Sequence, residues 1–349
     1  MSRNQMIPII LNTSCERIAE ADDFISFIWT QRFYSPGDFE LCLDIRYANI
    51  IQKGFYIMRK GDLHAGIVEK IQFKRMEDSQ EMIIVSGRML TAILARRVIS
   101  QQTQLEGNIL SAIHLIINEN AVNPSDPDRT ISGIVLSNTS SSQTEINSQY
   151  TGENLLDTIS SLCETYGVGF DGFFDDQFRF NFMTYDGVDR SYGQNVNPYV
   201  VFSEQYDNLL NCEFEADYTQ YSTDVLVGGE GEGINRTFVW SAKDSQTGLN
   251  RYEKFLDASN AVSNDNIITQ ETYEKQLQGL GLEEITEFTE AFQGEVDFSG
   301  VNYGTDLNVG DIVTIENTRW GMRLNTRLIE VIESVGEDGA YTIVPTFGT

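Results

Sequence analysis

The stretch "FELCLDI", Phe39 to Ile45, sets Phe39, Leu41, Leu43 and Ile45 against Glu40, Cys42 and Asp44. Side chains alternate across a strand, so this period of two describes a half-buried β-strand. It follows "SPGD", whose Pro36 and Gly37 suit the centre of a turn. The same unit recurs as "GFYIMR", a turn at "KGD", "HAGIVEKIQFKR", a polar turn at "MEDSQ", and "EMIIVSG". Short alternating runs broken by turn residues predict antiparallel hairpins through the first hundred residues. "RMLTAILARRVIS" breaks the alternation and predicts a short helix. No apolar run approaches the length of a membrane span, and the polar opening "MSRNQ" lacks the layout of an export signal. A soluble protein is expected.

The next hundred residues change period. "NILSAIHLIINEN" carries apolar residues at helical spacing, and "NPSDPDR" (Asn123 to Arg129) breaks it. "SNTSSSQTEINSQ" is a polar loop. "TGENLLDTISSLCETYG" predicts a helix with Thr151 as N-cap, a stripe of Leu155, Ile159, Leu162, Cys163 and Tyr166, and Gly167 at its end. "VGFDGFFDDQFRFNFMTYDG" then alternates aromatics through a turn. Two helices against a small sheet make this an α/β module.

From about Val200 the pattern returns to strands: "YVVFSEQ", "NLLNCEFEADYTQY", "TDVLVGG" and "INRTFVWSAK". A polar interlude, "DSQTGLNRYEKFLDASNAVSNDN", leads to a helix, "ITQETYEKQLQGLG", with Tyr273, Leu277 and Leu280 on one side and Gly281 closing it. The last strands are "TEFTEAFQGEVDFSG", "VGDIVTIEN", "LNTRLIEVIESV" and "AYTIVP", with a turn at "GEDG". The expected fold is α+β and mostly β. Two antiparallel β-barrel-like domains (1–100, then 200–242 with 291–349) flank an α/β domain (101–199). A peripheral domain with a helix is inserted at 243–290.

Charge narrows the function. Asp and Glu total 52 against 24 Lys and Arg, a net −28. Such a surface repels nucleic-acid backbones and anionic lipid heads, so specific DNA binding is not expected. Cys15, Cys42, Cys163 and Cys212 form no CxxC pair, which argues against a zinc site. Cys42 and Cys163 read as buried thiols. Synthesis in a reducing compartment fits, and disulfides stay open.

The glycine-rich "VLVGGEGEG", Val225 to Gly233, invites a nucleotide-site reading. A dinucleotide fingerprint would need glycine at 234, which is Ile, and a helix where the β-like "INRTFVW" follows. Glu230 and Glu232 would repel a phosphate. A turn joining two strands is expected, with Val225 to Val227 in the second barrel.

Two histidines, His64 and His114, lie in no nucleophile or zinc motif. The acidic stretches "DGFFDD", "SDPD" and "GEDG" do not match EF-hand spacing and read as turns. A spatial carboxylate pair for glycoside hydrolysis stays open but carries no signal among 52 acids. Arg96 and Arg97 form one compact basic spot, read as pairing with acids at a subunit contact. "NTS" at Asn12 and Asn138 gains no glycosylation reading without a signal peptide. No catalytic, cofactor-binding or metal-ligating residue is assigned.

The whole-chain pattern resembles the siphophage and prophage tail-hub family. "FIWTQRFYSPGDFELCL" resembles the strand pair that opens its first barrel, and "SGRMLTAILARRVI" the segment that closes it. "YDNLLNCEFEADYTQYSTDVLVGGEGEG" resembles its second barrel, "YGTDLNVGDIVTIEN" a late strand and "PTFGT" its ending. The resemblance covers essentially all of the chain and rests on the order and spacing of these motifs.

It implies a non-enzymatic structural protein, similar to the trimeric hubs of contractile tails and type VI spikes. A homotrimer would form a pseudo-sixfold ring at the distal tail tip, assembled after synthesis in the bacterial cytoplasm. The ring would join the distal tail or tail tube protein to a tip, fibre or receptor-binding protein. Three copies would carry −84, three times −28, so DNA crossing the lumen would meet few binding sites. The chain stops soon after its last strand, so the peptidase or fibre of many relatives is not carried over. Two other readings stay open: a carbohydrate-binding baseplate protein, using the aromatics of "FDGFFDDQFRFNFMTY" as a sugar platform, and a tail-associated cell-wall hydrolase. The insertion from Lys243 to Glu290 is the expected partner contact.

Overall fold

A computed structural model of the chain describes residues 6–75, 80–244, 246–261, 269–286, 289–296 and 301–348. Four of the five "MEDSQ" residues and parts of the insertion therefore lie outside the described residues.

The expected hairpins form. Strands β1 (Pro8–Leu11), β2 (Arg17–Glu20), β3 (Ser26–Arg32), β4 (Asp38–Asp44), β5 (Tyr56–Arg59), β6 (Ala65–Ile67), β7 (Lys70–Arg75) and β8 (Glu81–Arg88) build the first part. In β4, Phe39, Leu41 and Leu43 are buried, as the alternation requires. They pack with Phe27 and Trp29 of β3, Ile83 and Val85 of β8, and Ile10 and Ile57 from a second sheet, β2-β1-β5-β6. Cys42, on the opposite face of β4, is buried too, with its Sγ 3.5 Å from Met82 Sδ. That face is covered only around Cys42, since Glu40 on the same side is exposed. "RMLTAILARRVIS" forms a tight 3-10 helix, Leu90–Arg96, with Leu90, Ala92 and Leu94 buried.

The middle part contains β9 (Thr103–Asn108), α1 (Ile109–Ile117), β10 (Ile134–Asn138), β11 (Glu145–Tyr150), α2 (Leu155–Tyr166), β12 (Gly169–Phe174) and β13 (Phe180–Tyr185). Asn108 and Asn154 cap α1 and α2 by accepting backbone N–H bonds. The N-cap of α2 is therefore Asn154 and not Thr151, whose hydroxyl donates to the carbonyl of Tyr150. An Asn amide oxygen is among the strongest N-cap acceptors. Gly167 ends α2 in the left-handed conformation at φ 67°, as expected. Phe170, Phe174, Phe180 and Phe182 of the aromatic hairpin are buried in one core with both helices. These rings are packing, not a sugar platform.

The third part contains β14 (Val201–Ser203), β15 (Leu209–Asp217), β16 (Asp224–Gly228), β17 (Phe238–Ala242), β18 (Glu253–Asp257), α3 (Gln270–Glu284), β19 (Thr289–Val296), β20 (Ile312–Asn317), β21 (Met322–Val335) and β22 (Tyr341–Gly348). The long β21 is the joint of the molecule. It pairs with β20 and β22 in the C-terminal half and with β3 from the N-terminal half. The β-rich parts thus share one ten-stranded sheet, running β15-β19-β22-β21-β3-β4-β8-β7, with β20 and β14 branching from β21. The fold is α+β and mostly β, as expected.

Three expectations are corrected here. Val225 to Val227 do not belong to the second barrel: β16 pairs with β17 and β18 in a separate three-stranded sheet. The polar interlude contains a strand, β18, which pairs with β16 in parallel. Its "EKFLD" sequence alternates, but it lacks the turn-linked partner that marks a hairpin. Gly281 does not end α3, which continues to Glu284. A Cβ at Gly281 would lie 2.3 Å from Ser241 Oγ, and one at Gly279 would lie 2.2 Å from the Asn147 carbonyl oxygen. These glycines let the helix pack closely between the small sheet and β11.

A candidate functional site at the junction of three segments

The side chains that chemistry would single out converge where the large sheet meets the middle part. β21 places Glu333 opposite Trp29 of β3, and the neighbouring β5 projects Arg59 toward both. Arg59 pairs with Glu333, stands 5.1 Å from the Trp29 ring, and donates to Asp62 Oδ2 from Nε at 2.9 Å. Glu333 is only 1% exposed and also accepts from Tyr341 Oη at 2.7 Å. Asp62 sits in the turn after β5, where its other oxygen lies 2.6 Å from His64 Nδ1. His64 Nε2 lies 2.8 Å from Asp171 Oδ2 on β12. One chain of charges therefore runs Glu333, Arg59, Asp62, His64, Asp171 and ties the C-terminal, N-terminal and middle segments together.

The electrostatics follow from this order. Burial by itself would lower the His64 pKa, but the carboxylates of Asp171 and Asp62 outweigh it and hold the imidazole well above its usual value. Burial would raise both carboxylates, yet His64, joined by Arg59 at Asp62, holds them below the ordinary range. Both ring nitrogens of His64 face carboxylate oxygens, so the imidazolium donates twice and has no lone pair left for base catalysis. A cavity of about 20 Å³ beside it, lined by Gln31, Ser35, His64 and Asp171, has room for a single water. The arrangement is a clamp.

The other singled-out residues are engaged elsewhere. His114 lies on α1 with Nε2 3.1 Å from the Ser137 carbonyl oxygen, and burial lowers its pKa. It is a half-buried histidine at the edge of the core. Arg97 donates to the carbonyl of Arg129 at 2.7 Å, within the middle part. Asp175, Asp126 and Asp338 of the acidic stretches accept backbone N–H bonds from their own turns. Among the described residues no group of three His, Cys, Asp or Glu is placed to hold a metal. Cys15, Cys42 and Cys163 are free thiols, and Cys212 lies in β15.

The glycine-rich loop joins β16 to β17 as the expected turn. Gly229 N donates to the Thr237 carbonyl at 2.8 Å, and Gly231 takes φ 104°, which favours glycine. Sequence reasoning missed the clamp altogether. His64 and Asp171 are 107 positions apart, and neither sits in a motif.

Comparison with known proteins places this fold among tail proteins. The tail protein from Neisseria meningitidis MC58 matches with a TM-score of 0.61 at 12% identity, over 98% of this chain and 96% of that one. Prophage tail protein gp18 from Listeria monocytogenes EGD-e matches at 0.59 and 10% identity, over 98% and 94%. The 43 kDa tail protein of prophage MuSo2 from Shewanella oneidensis matches at 0.57 and 15%, over 98% of both chains. At these identities the likeness is one of fold. No curated protein matches the sequence. The model of the Siphovirus ReqiPepy6 Gp37-like protein family matches residues 7–349, nearly the entire length, and the chain belongs to that siphovirus tail protein family.

Proposed function

We propose that this protein is a hub of the phage tail tip. Three copies form a ring that closes the tail tube, joins the distal tail or tube protein to a tip or fibre, and opens for DNA. The observation that carries the reading is the family match across nearly the whole chain, together with a fold shared end to end with tail proteins from three bacterial sources. The two β-rich parts held in one sheet through β3 and β21 support it, because two such parts per chain, taken three times, suit a sixfold tube. Its role is structural and its location is the distal virion tail. The inserted segment from Lys243 to Glu290 is the outward partner contact. Acidic residues facing the lumen would keep DNA from sticking during passage.

Electron microscopy of purified tails carrying a tagged copy tests this. Three copies at the distal end, around an acidic channel, are the expected result. Virions that lack the chain, or a basic channel, would overturn it.

A further inference from the structure

The peripheral sheet has two unlike faces. Val225 and Val227 of β16 point inward and pack against Tyr273 and Leu277 of α3. The helix in turn lies against β11, so the opposite face of the sheet points away from the body of the chain. On that outer face the register sets Trp240, Leu226 and Phe255 in one row across the three strands, with Phe238 beside Gly228 in the next row. Trp240 is 44% exposed, Phe238 49% and Phe255 52%. A row of half-exposed rings on regular strands is not what a solvated face requires.

Polar groups frame the rings at both ends. Arg236 stands 5.6 Å from the Phe238 ring and 5.7 Å from Phe255, and pairs with Asp257 at 2.5 Å. Gly228 makes its seat, since a Cβ there would lie 2.8 Å from the guanidinium. Arg251 stands 4.6 Å from the Trp240 ring and pairs with Asp224 and with Glu253. Asp257 also borders a cleft of about 240 Å³ between this unit and the end of β11. Gln276 lines that cleft, is 3% exposed, and its Nε2 has no hydrogen-bond partner. A buried amide left unpaired at a cleft wall asks for an acceptor from outside.

We propose that this aromatic face and the adjoining cleft bind a neutral oligosaccharide. The rings offer flat apolar surface to the C–H faces of sugar rings. The framing pairs offer both donors and acceptors, which hydroxyl groups satisfy together and an anion does not. Both guanidiniums are already matched to carboxylates, and Asp224, Glu253 and Asp257 outnumber them, so phosphate and polyanions are disfavoured. The inference rests on the reading of this unit as an outward contact and names the chemistry it would meet; because the test uses the separate chain, it can fail while the ring reading stands.

The test is titration of the full chain with a panel of neutral oligosaccharides, including maltotetraose and chitotetraose, followed by tryptophan fluorescence and ligand-observed NMR. Saturable binding to at least one member is expected. Trp240→Ala and Phe255→Ala should each weaken it about tenfold or more, whereas Trp320→Ala, which removes an exposed ring elsewhere, should leave it unchanged. Arg236→Gln provides an independent variant if a ring truncation perturbs folding. Binding by no member, unaltered affinity in the Trp240 and Phe255 variants, or binding only of acidic glycans or DNA at this face would overturn the proposal.

Discussion

His64 Nε2 lies 2.8 Å from Asp171 Oδ2, joining the turn after β5 to β12 across 107 positions of sequence. Because Asp62 holds the other ring nitrogen at 2.6 Å, the imidazolium is bracketed by carboxylates and acts as a charged rivet between segments. This contact makes the junction sensitive to pH in a direction that can be worked out.

The folded-state pKa of His64 is raised, so its stabilisation is fully present below the unfolded value of about 6.5 and is lost as pH rises through the folded value. Asp62 and Asp171 are lowered, so theirs is present above about 4 and is lost as pH falls through their folded values. Melting temperature plotted against pH should therefore be highest between about 4 and 6.5. In Asp171→Asn the alkaline decline should start at the same pH but end at a lower one and be smaller, because only the folded value falls. An NMR titration of His64 with a midpoint at or below 6.5 would contradict this.

Arg59→Met should be among the most damaging single changes. It leaves Glu333 buried without its cation and Asp62 with His64 alone, at a cost of about 3–5 kcal/mol. Adding Glu333→Gln should recover part of that loss, because the stranded charge is then removed. Urea denaturation of the two single variants and the double variant measures the coupling, and strict additivity would refute the pairing.

Glu283 docks α3 onto the middle part by accepting from Ser148 Oγ at 2.7 Å and Tyr150 Oη at 2.6 Å. Burial raises its pKa. Its stabilising contribution is thus present below the unfolded value of about 4.3 and is lost as pH rises through the folded value. Glu283→Gln keeps an acceptor without the buried charge and should be near neutral at pH 7, whereas Glu283→Ala should cost about 1–3 kcal/mol. Thermal melts at pH 7 decide it: a Gln variant as unstable as the Ala variant would show that the charge itself is needed.

Gly279→Ala sets helix propensity against packing. Alanine favours an isolated helix by about 1 kcal/mol. Here its Cβ would meet the Asn147 carbonyl oxygen at 2.2 Å, a backbone atom that yields little. A net loss of about 1–3 kcal/mol is expected, with faster proteolysis of the peripheral unit than of the large sheet. A gain in stability would mean that the helix sits further from β11.

The local elements were legible from the amino-acid order alone, because strand and helix periods are properties of neighbouring residues. Phe39, Leu41 and Leu43 alternate as a strand does, the stripe of α2 closes at Gly167, and "GGEGEG" lacks the spacing of a phosphate loop. The family resemblance was legible for the same reason, since it rests on ordered local motifs. Tertiary structure alone decided which distant strands meet. Nothing local in "SFIWTQR" says that Arg32 will pair with Glu330, 298 positions later, or that β18 will lie parallel to β16. The clamp and the outer aromatic face depend on such long-range choices. His64 read as a residue beside a turn until β12 brought Asp171 to it, and Trp240 of a strand and Phe255 of the polar interlude read as unrelated until β16 came between them. Register is set by burial across the whole fold, and short-range periodicity carries no record of it.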